Sequence, residues 1–416
     1  MSTEWRANMW LLVELLVVSV VLWYINDFMY IRTVQASQDY GFDYERVYRV
    51  NYRIAGIDDE ADSDSVSNHL VGELERRLAG RPDIEAVART AYATPFETSG
   101  YNAGLFNPED TTACLGFSYS TGVSMRYGFV TPGYFSVLRI SGINGESPAR
   151  LDSVIAAGGA VLSDNVVYQE APGMKQGKVD LHSLIGKRYY TSEGALVSVG
   201  AVMKSQLRTM YESVRKSSQV YVPLGRDMMS SADLLVRLKD NASEADFLEA
   251  LNGKGSKDYS IGRLYLCGVQ PLSAIKSASA AEVDRTMRLS VLAMSFLMVN
   301  VFLGLLGAFW FRTQRRSGEI AIRMVGGATS RDIICRVISE AWILLLVATI
   351  PALGIDCLIG KADLLISWEC SHFSLGRFWI AAVITFVEMT VMVVLGTFIP
   401  AYRAMKTKPS VVLQAE

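Results

Sequence analysis

The chain has 416 residues, of which 50% are hydrophobic and 20% charged, with a formal net charge of −2 and a mean hydropathy of +0.22. Disordered chains are poor in apolar residues, soluble domains carry about a quarter charged residues, and nucleic-acid binding calls for a clustered basic surface. The composition therefore excludes intrinsic disorder, gives no sign of a nucleic-acid partner, and leaves an apolar excess that a soluble core does not absorb.

The first apolar block, Met9–Tyr24, extends weakly to Ile31 and contains Glu14. Its flank of Trp23, Tyr24, Phe28 and Tyr30 resembles an interfacial aromatic belt. Glu4, the acid inside the run and the lack of a small-residue cleavage site directly after it favour a retained anchor helix over a cleaved signal peptide.

Residues 32–288 are long enough for one or two packed domains. Val66, Leu70, Leu74 and Leu78 recur every four residues among Glu73, Glu75, Arg76 and Arg77, which predicts an amphipathic helix capped by Asp62 or Ser65. Short β-branched runs bounded by Gly, Pro or Ser predict strands at Ile84–Ala93, Gly128–Val130, Ala160–Leu162, Val197–Val202, Gln219–Val222 and Asp233–Leu238. Ser243, followed by Glu244 and Asp246, predicts a capped helix over Ser243–Leu251. Helices interleaved with strands argue for an α+β domain. Residues 272–288 read as a helix running straight into the second apolar block, which would tie movement outside the membrane to movement within it.

Leu289–Phe311, Ile338–Leu358 and Trp379–Ile399 each reach about 20 residues, enough to cross a hydrocarbon layer of about 30 Å as a helix. Arg312, Arg315, Arg316, Arg323, Arg331 and Arg336 follow the second block, and Arg403, Lys406 and Lys408 follow the fourth. The connection 359–377 has Lys361 and Arg377 opposed by Asp363 and Glu369. By the positive-inside rule, 312–337 and both termini are cytoplasmic and 32–288 lies outside. The expected fold is a membrane protein of four transmembrane α-helices, arranged one plus three, around a large α+β extracytoplasmic domain. Its parts are 1–31, 32–288 and 289–416.

Cys114, Cys267, Cys335, Cys357 and Cys370 form no CxxC pair, and His69, His182 and His372 lie far apart, so no metal site is expected; a Cys114–Cys267 bridge stays open. The chain has no HExxH, GxSxG or GxxxxGK[ST] motif, and Asn252–Ser256 has the wrong order for a phosphate loop and reads as a turn. No catalytic residue and no cofactor of its own are expected. Within the blocks, Glu14 and Glu388 are candidates for a polar site between helices, because a charge at that depth needs a partner or water. Asp356 falls nearer an interface. Met287, Met294 and Met298 read as packing filler, and Pro351 is expected to kink the third block.

The most informative stretch is Arg315–Ile334, in which Ile320, Ile322 and Val325 alternate with polar residues before Gly326-Gly327 breaks the segment. Thr329 or Ser330 can cap the helix that follows, with Asp332 in its first turn. On composition alone this is a basic loop with an interfacial helix. The stretch resembles the signature of the FtsX/MacB-type permease family, R-R-x-E-I-x-I-R-x-x-G-A-x-x-x-x-I. The matching residues are Arg315, Arg316, Glu319, Ile320, Ile322, Arg323, Gly327, Ala328 and Ile333, with the usual acid at Asp332. Ser317-Gly318 ahead of Glu319 and the run Met324-Val325-Gly326 depart from that pattern. Val130–Ile140, Ala160–Ser163, Leu184–Lys187, Val197–Met203 and Tyr221–Leu224 resemble, in order, segments of the MacB-type periplasmic core domain. Pro400–Leu413 resembles the family's ending.

The resemblance implies an inner-membrane permease subunit that pairs with a second copy or a paralogue and with separate cytoplasmic ATPase subunits. Those subunits bind ATP and Mg. Segment 316–326 would be a coupling helix resting on the ATPase, with Arg316, Glu319, Ile320, Ile322, Arg323, Gly327 and Asp332 as the coupling residues. The outer domain would then propel or export a cargo, or engage an outer-membrane or periplasmic partner. The alternatives are an FtsX-like transmitter that regulates a periplasmic partner without transport, and a membrane-anchored sensor or binding module.

Overall fold

The computed structural model describes residues 2–406 apart from 57–59, 98–99, 110–113, 116, 119–122, 170–176, 179, 192, 210–217, 226–227, 229–231, 254, 316–321, 323–325 and 363–373. The chain divides into two compact units. One gathers the N-terminal helix, through Val34, with the chain from Asp284 onward; the other holds Gln35–Val283.

The first unit is helical. It contains α1 (Ser2–Ala36) and, after the sheet unit, the later part of α6 (Leu272–Arg315), α7 (Ser330–Ala362) and α8 (Leu375–Lys406). Each of the four has a stretch long and apolar enough to cross a membrane: Leu11–Gln35, Met287–Gly304, Arg331–Ala362 and Leu375–Phe398. The one-plus-three arrangement expected from the sequence is therefore present. Leu11, Leu15, Val18, Leu22 and Ile25 recur at helical spacing down one face of α1. They are buried against Ala341, Leu345 and Ala348 of α7 and Met389, Met392 and Val393 of α8. Alanines at this seam let the helix backbones approach closely. Met294, Met298 and Phe302 of α6 pack partly against the same cluster, which matches the filler reading of the methionines. The opposite face of α6 exposes Leu292, Phe296, Val299 and Leu303; helices apolar on every side are what lipid accommodates. Pro351 sits inside α7, which continues through it.

The second unit is built on a mixed sheet. Its strands are β1 (Val47–Ile54), β2 (Ile84–Ala91), β3 (Tyr101–Ala103), β4 (Leu105–Phe106), β5 (Cys114–Leu115), β6 (Phe117–Ser118), β7 (Val123–Val130) and β8 (Ala160–Ser163). They continue with β9 (Val167–Gln169), β10 (Gly177–Lys178), β11 (Arg188–Tyr190), β12 (Leu196–Met203), β13 (Gln219–Pro223), β14 (Asp233–Leu238) and β15 (Leu264–Pro271). The spatial order is β10-β9-β5-β4-β11-β12-β8-β13-β7-β2-β14-β1-β15, with β3 and β6 also on β7. The pairs β12/β8 and β13/β7 are parallel, and the other pairs are antiparallel. The helices of this unit are α2 (Glu60–Ala79), α3 (Tyr134–Leu138), α4 (Pro148–Ala156) and α5 (Glu244–Leu251).

Strand periodicity decides which side chain enters which core. On β14, Leu234, Val236 and Leu238 pack under α2 and α5, whereas Leu235 faces the core around α3 and α4. On β12, Val197 and Val199 enter one core, yet Ala201 and Met203, in the same parity, enter the other. The switch coincides with a register shift between Val199 and Ala201. A one-residue irregularity turns every later side chain to the other face. Gly200 stands at this point, where a Cβ would lie 2.4 Å from Val154 Cγ1.

Several expectations need correction. The stripe that α2 buries is Val71, Leu74 and Leu78 with Leu70 partly covered, while Val66 is 45% exposed. Strand β2 ends at Ala91 rather than Ala93, because Tyr92 adopts φ 59°, outside strand geometry. Strands β1 and β15 were missed altogether: Arg49, Asn51 and Arg53 break the apolar run of β1, and Gly268 interrupts β15. Ser243 does cap α5, its hydroxyl accepting from the Asp246 amide at 3.3 Å. Cys267 is a free, exposed thiol on β15, so the Cys114–Cys267 bridge does not form.

Candidate functional site: the 316–332 connection and the polar seam between helices

The connection between α6 and α7 begins after Arg315. Of the residues proposed to couple, Arg316, Glu319, Ile320 and Arg323 lie outside the described residues. Ile322 is helical and 63% exposed, an apolar side chain held out where a partner surface could cover it. The amide of Gly326 donates to the Ile322 carbonyl at 3.0 Å. Gly327 then takes φ 93°, a conformation a side chain disfavours.

The start of α7 is fixed by a reciprocal cap. The Thr329 amide and hydroxyl both donate to Asp332 Oδ2, at 3.0 and 2.6 Å, and the Asp332 amide donates back to Thr329 Oγ1 at 3.4 Å. Of the two cap candidates, Thr329 makes these bonds. This satisfies donors that a helix N-terminus otherwise leaves open, with the acid set at the positive end of the helix dipole. Ile333, one residue on, is buried. Asp332 therefore has a local structural task, whatever else it contacts. Thr329→Ala is expected to destabilise this helix end by about 1 kcal/mol. The check is hydrogen exchange of amides 330–334, which should quicken while exchange in the middle of α7 stays unchanged.

The two acids singled out in the spans have intrachain neighbours. Glu388, on α8, accepts from Asn26 Nδ2 at 2.7 Å, and the same amide nitrogen donates to Thr385 Oγ1 at 3.1 Å. Glu14, on α1, lies against Gly304 of α6, where an added Cβ would meet Glu14 Oε1 at 3.1 Å. Both are half-buried. Asp356 is buried rather than at an exposed rim, at 1% exposure, and its Oδ1 has no hydrogen-bond partner among the described residues.

The strongest polar contact of the helical unit was not foreseen. Arg377, at the start of α8, forms a bidentate pair with Asp27 of α1, with Nε 2.6 Å from Oδ1 and Nη2 on Oδ2. Both side chains are almost fully buried. Two forked N–H groups meeting a carboxylate is the geometry that Arg supplies and Lys does not. Trp23, one turn earlier on α1, donates Nε1 to the Phe378 carbonyl at 3.4 Å. Residues 23, 26 and 27 thus present one polar strip of α1 to α8. The sequence carried a signal, an aspartate directly after an apolar run. Its partner stands 350 residues away and looked like an ordinary flank charge. Among the described residues, no group of three or more His, Cys, Asp or Glu side chains is placed to hold a metal ion.

Comparison with known proteins places these features. Residues 291–409 match the model of the FtsX-like permease C-terminal family. Over 181 residues, 43% of this chain, the sequence is 27% identical to the pyoverdine export ATP-binding/permease protein PvdT of Pseudomonas fluorescens. The chain spans about a quarter of the length of that relative, 25%. Among solved structures, the periplasmic region of MacB from Actinobacillus actinomycetemcomitans is similar at 11% identity and a TM-score of 0.32, over 57% of this chain and 94% of that one. The extracellular domain of the noncanonic ABC-type transporter YknZ from Gram-positive bacteria matches at 15% identity and a TM-score of 0.29, over 53% of this chain and 100% of that one. A domain of a putative permease from Porphyromonas gingivalis matches at 13% and 0.30, over 55% and 91%. The resemblance to FtsX-like permeases read from the motifs holds over the C-terminal region, which contains the coupling candidates.

Proposed function

We propose that this chain, whose residues 291–409 are of the FtsX-like permease type, is the transmembrane subunit of an ABC system in a bacterial inner membrane. A separate cytoplasmic ATPase docks on segment 316–326 and binds and hydrolyses ATP with Mg. This chain carries the resulting movement to its sheet unit and performs no catalysis itself. Arg316, Glu319, Ile320, Ile322 and Arg323 form the docking surface; Gly327 and Asp332 set where that segment ends and α7 begins. The observation that carries this reading is the family match enclosing the connection between two membrane-length helices.

Two copies would make the working permease, and the sheet unit on the outer side would act on a cargo or on a periplasmic or outer-membrane partner. One observation favours mechanical transmission as the means. Helix α6 is unbroken over 44 residues and belongs to both units, with Leu272 and Ile275 in the sheet unit's core and Met294 and Met298 in the helical cluster. In this reading, movement along α6 is what reaches the sheet unit. In this reading Glu14 and Glu388 are inter-helix contacts within one subunit rather than relay groups. Glu388→Gln, which keeps an acceptor for Asn26, should leave coupled activity unchanged.

The test is charge reversal in the docking segment. Glu319→Lys and Arg323→Glu are expected to lower permease-stimulated ATPase activity at least tenfold in reconstituted vesicles while leaving the yield of folded permease intact. Stimulation at the level of the unaltered chain in both variants would overturn the assignment.

A further inference from the structure

Among the described residues, the chain passes between the two units at two places, after Val34 and after Val283. Just inside the sheet unit at the first place stand three aromatic residues, Tyr40, Phe42 and Tyr44. Near the second, the first turns of α6 bring Lys276 among them. Its Nζ lies 4.5 Å from the centroid of the Tyr44 ring, 4.7 Å from that of Tyr40 and 5.9 Å from that of Phe96. The same ammonium donates to Tyr44 Oη at 2.7 Å. The three rings stand nearly at right angles to one another, with centroids 5.2 Å apart for Tyr40/Phe96, 5.2 Å for Tyr44/Phe96 and 5.9 Å for Tyr40/Tyr44. That edge-to-face packing is the favoured arrangement for rings, and it gathers the three rings around one cation, which meets Tyr44 at its hydroxyl edge.

Two further observations show that the cage is built. Phe96 holds its place at φ 66°, a left-handed backbone unfavourable for a large side chain, and is pinned there by its amide donating to the Arg208 carbonyl at 2.8 Å. Strain of this kind persists only where surrounding contacts over-determine it, and it gathers at functional positions. Leu272 and Ile275, the residues just before the lysine on the same helix, are buried in the core that also contains Phe42 and Phe96. The helix start is therefore seated, and Lys276 is aimed by it.

We propose that Lys276 with Tyr40, Tyr44 and Phe96 forms a cation–π latch that joins the segment following α1 to the start of α6, so that the two chain connections of the sheet unit move as one body. The latch closes a loop in space between residues more than 230 apart in sequence, 232 for Lys276 and Tyr44. It is also steep. Attraction to a ring fades beyond about 6 Å, so a slip of α6 by one turn, about 5.4 Å, breaks all three ring contacts together. Displacement smaller than that is passed to both connections; larger displacement separates them. The latch stands apart from the ATPase assignment, and neither needs the other.

The test uses the full chain in lipid nanodiscs and hydrogen exchange of peptides covering residues 38–46 and 272–280. Lys276→Met keeps the apolar stem and removes the cation, whereas Lys276→Arg keeps a cation that stacks on rings. With Met the two segments should exchange roughly tenfold faster, and together. With Arg they should match the unaltered chain, and peptides from β7 and β13 should be unaffected by either change. Unchanged exchange at both segments with Met would overturn the latch. So would faster exchange throughout the sheet unit, because the lysine would then support the whole fold rather than join two connections.

Discussion

Arg377→Met is expected to destabilise the helical unit by about 3–5 kcal/mol, because it strands the Asp27 carboxylate in a buried site that the fork of Arg377 now fills. Desolvation opposes any buried pair, and removing one partner leaves the other's desolvation without compensation. The double variant Asp27→Leu/Arg377→Met should recover most of the loss, since an apolar pair of similar volume suits a seam already lined by Trp23, Phe378, Ala381 and Ala382. Unfolding in detergent, followed through the tryptophan emission to which the buried Trp23 contributes, checks both. A single variant no less stable than the unaltered chain, or a double variant as unstable as the single one, would show that the pair does not hold α1 to α8.

The second large effect is expected at Arg237, 1% exposed on β14. Its guanidinium donates to the Val137 carbonyl, to Asp43 Oδ2 at 3.0 Å, to the Glu45 carbonyl at 3.3 Å and to the Asp43 carbonyl at 2.6 Å. Burial pulls this guanidinium below its usual value while Asp43 pulls it back up. Either way it stays charged at any pH the protein meets. One side chain thus fastens the 43–45 segment to the sheet and to the end of α3. Arg237→Met should cost about 3 kcal/mol or more in urea unfolding of the sheet unit, because several carbonyls lose their donor at once. Arg237→Lys should recover only part, since an ammonium lacks the planar fork. Exchange at residues 43–46 should quicken in the Met variant before the rest of the unit responds.

These two residues also mark where the sequence could be read and where it could not. The membrane helices were legible because length and apolar content alone decide them; α6, α7 and α8 each lie over the expected blocks. The strands β8, β13 and β14 were legible because all or nearly all of their residues are buried, and a fully buried strand reads as a continuous apolar run. Strand β1 was not legible. It pairs with β14 on one side and β15 on the other, yet carries Arg49, Asn51 and Arg53 between its apolar residues. Arg49 has long-range partners in Glu97 and Gln270 that no local pattern reveals. The motif of the 316–332 connection was legible as a resemblance, and the cap of α7 as a choice between Thr329 and Ser330. The Asp27–Arg377 pair, the Asn26–Glu388 contact and the cage around Lys276 were not. Each joins residues hundreds of positions apart, and single-sequence reasoning sees only a charge near the end of an apolar run or a lysine among alanines and serines.

The account stands most directly on one measurement: purification of the full chain from its native membranes in mild detergent, with identification of what accompanies it and assay of ATP hydrolysis. The expected result is a stoichiometric ABC ATPase bearing a GxxxxGK[ST] loop. Its hydrolysis should be stimulated by the unaltered chain and not by the Glu319→Lys variant. A chain that purifies without any ATPase, and that leaves the hydrolysis of ABC ATPases from the same membranes unchanged, would contradict the proposal that segment 316–326 receives an ATP-driven stroke.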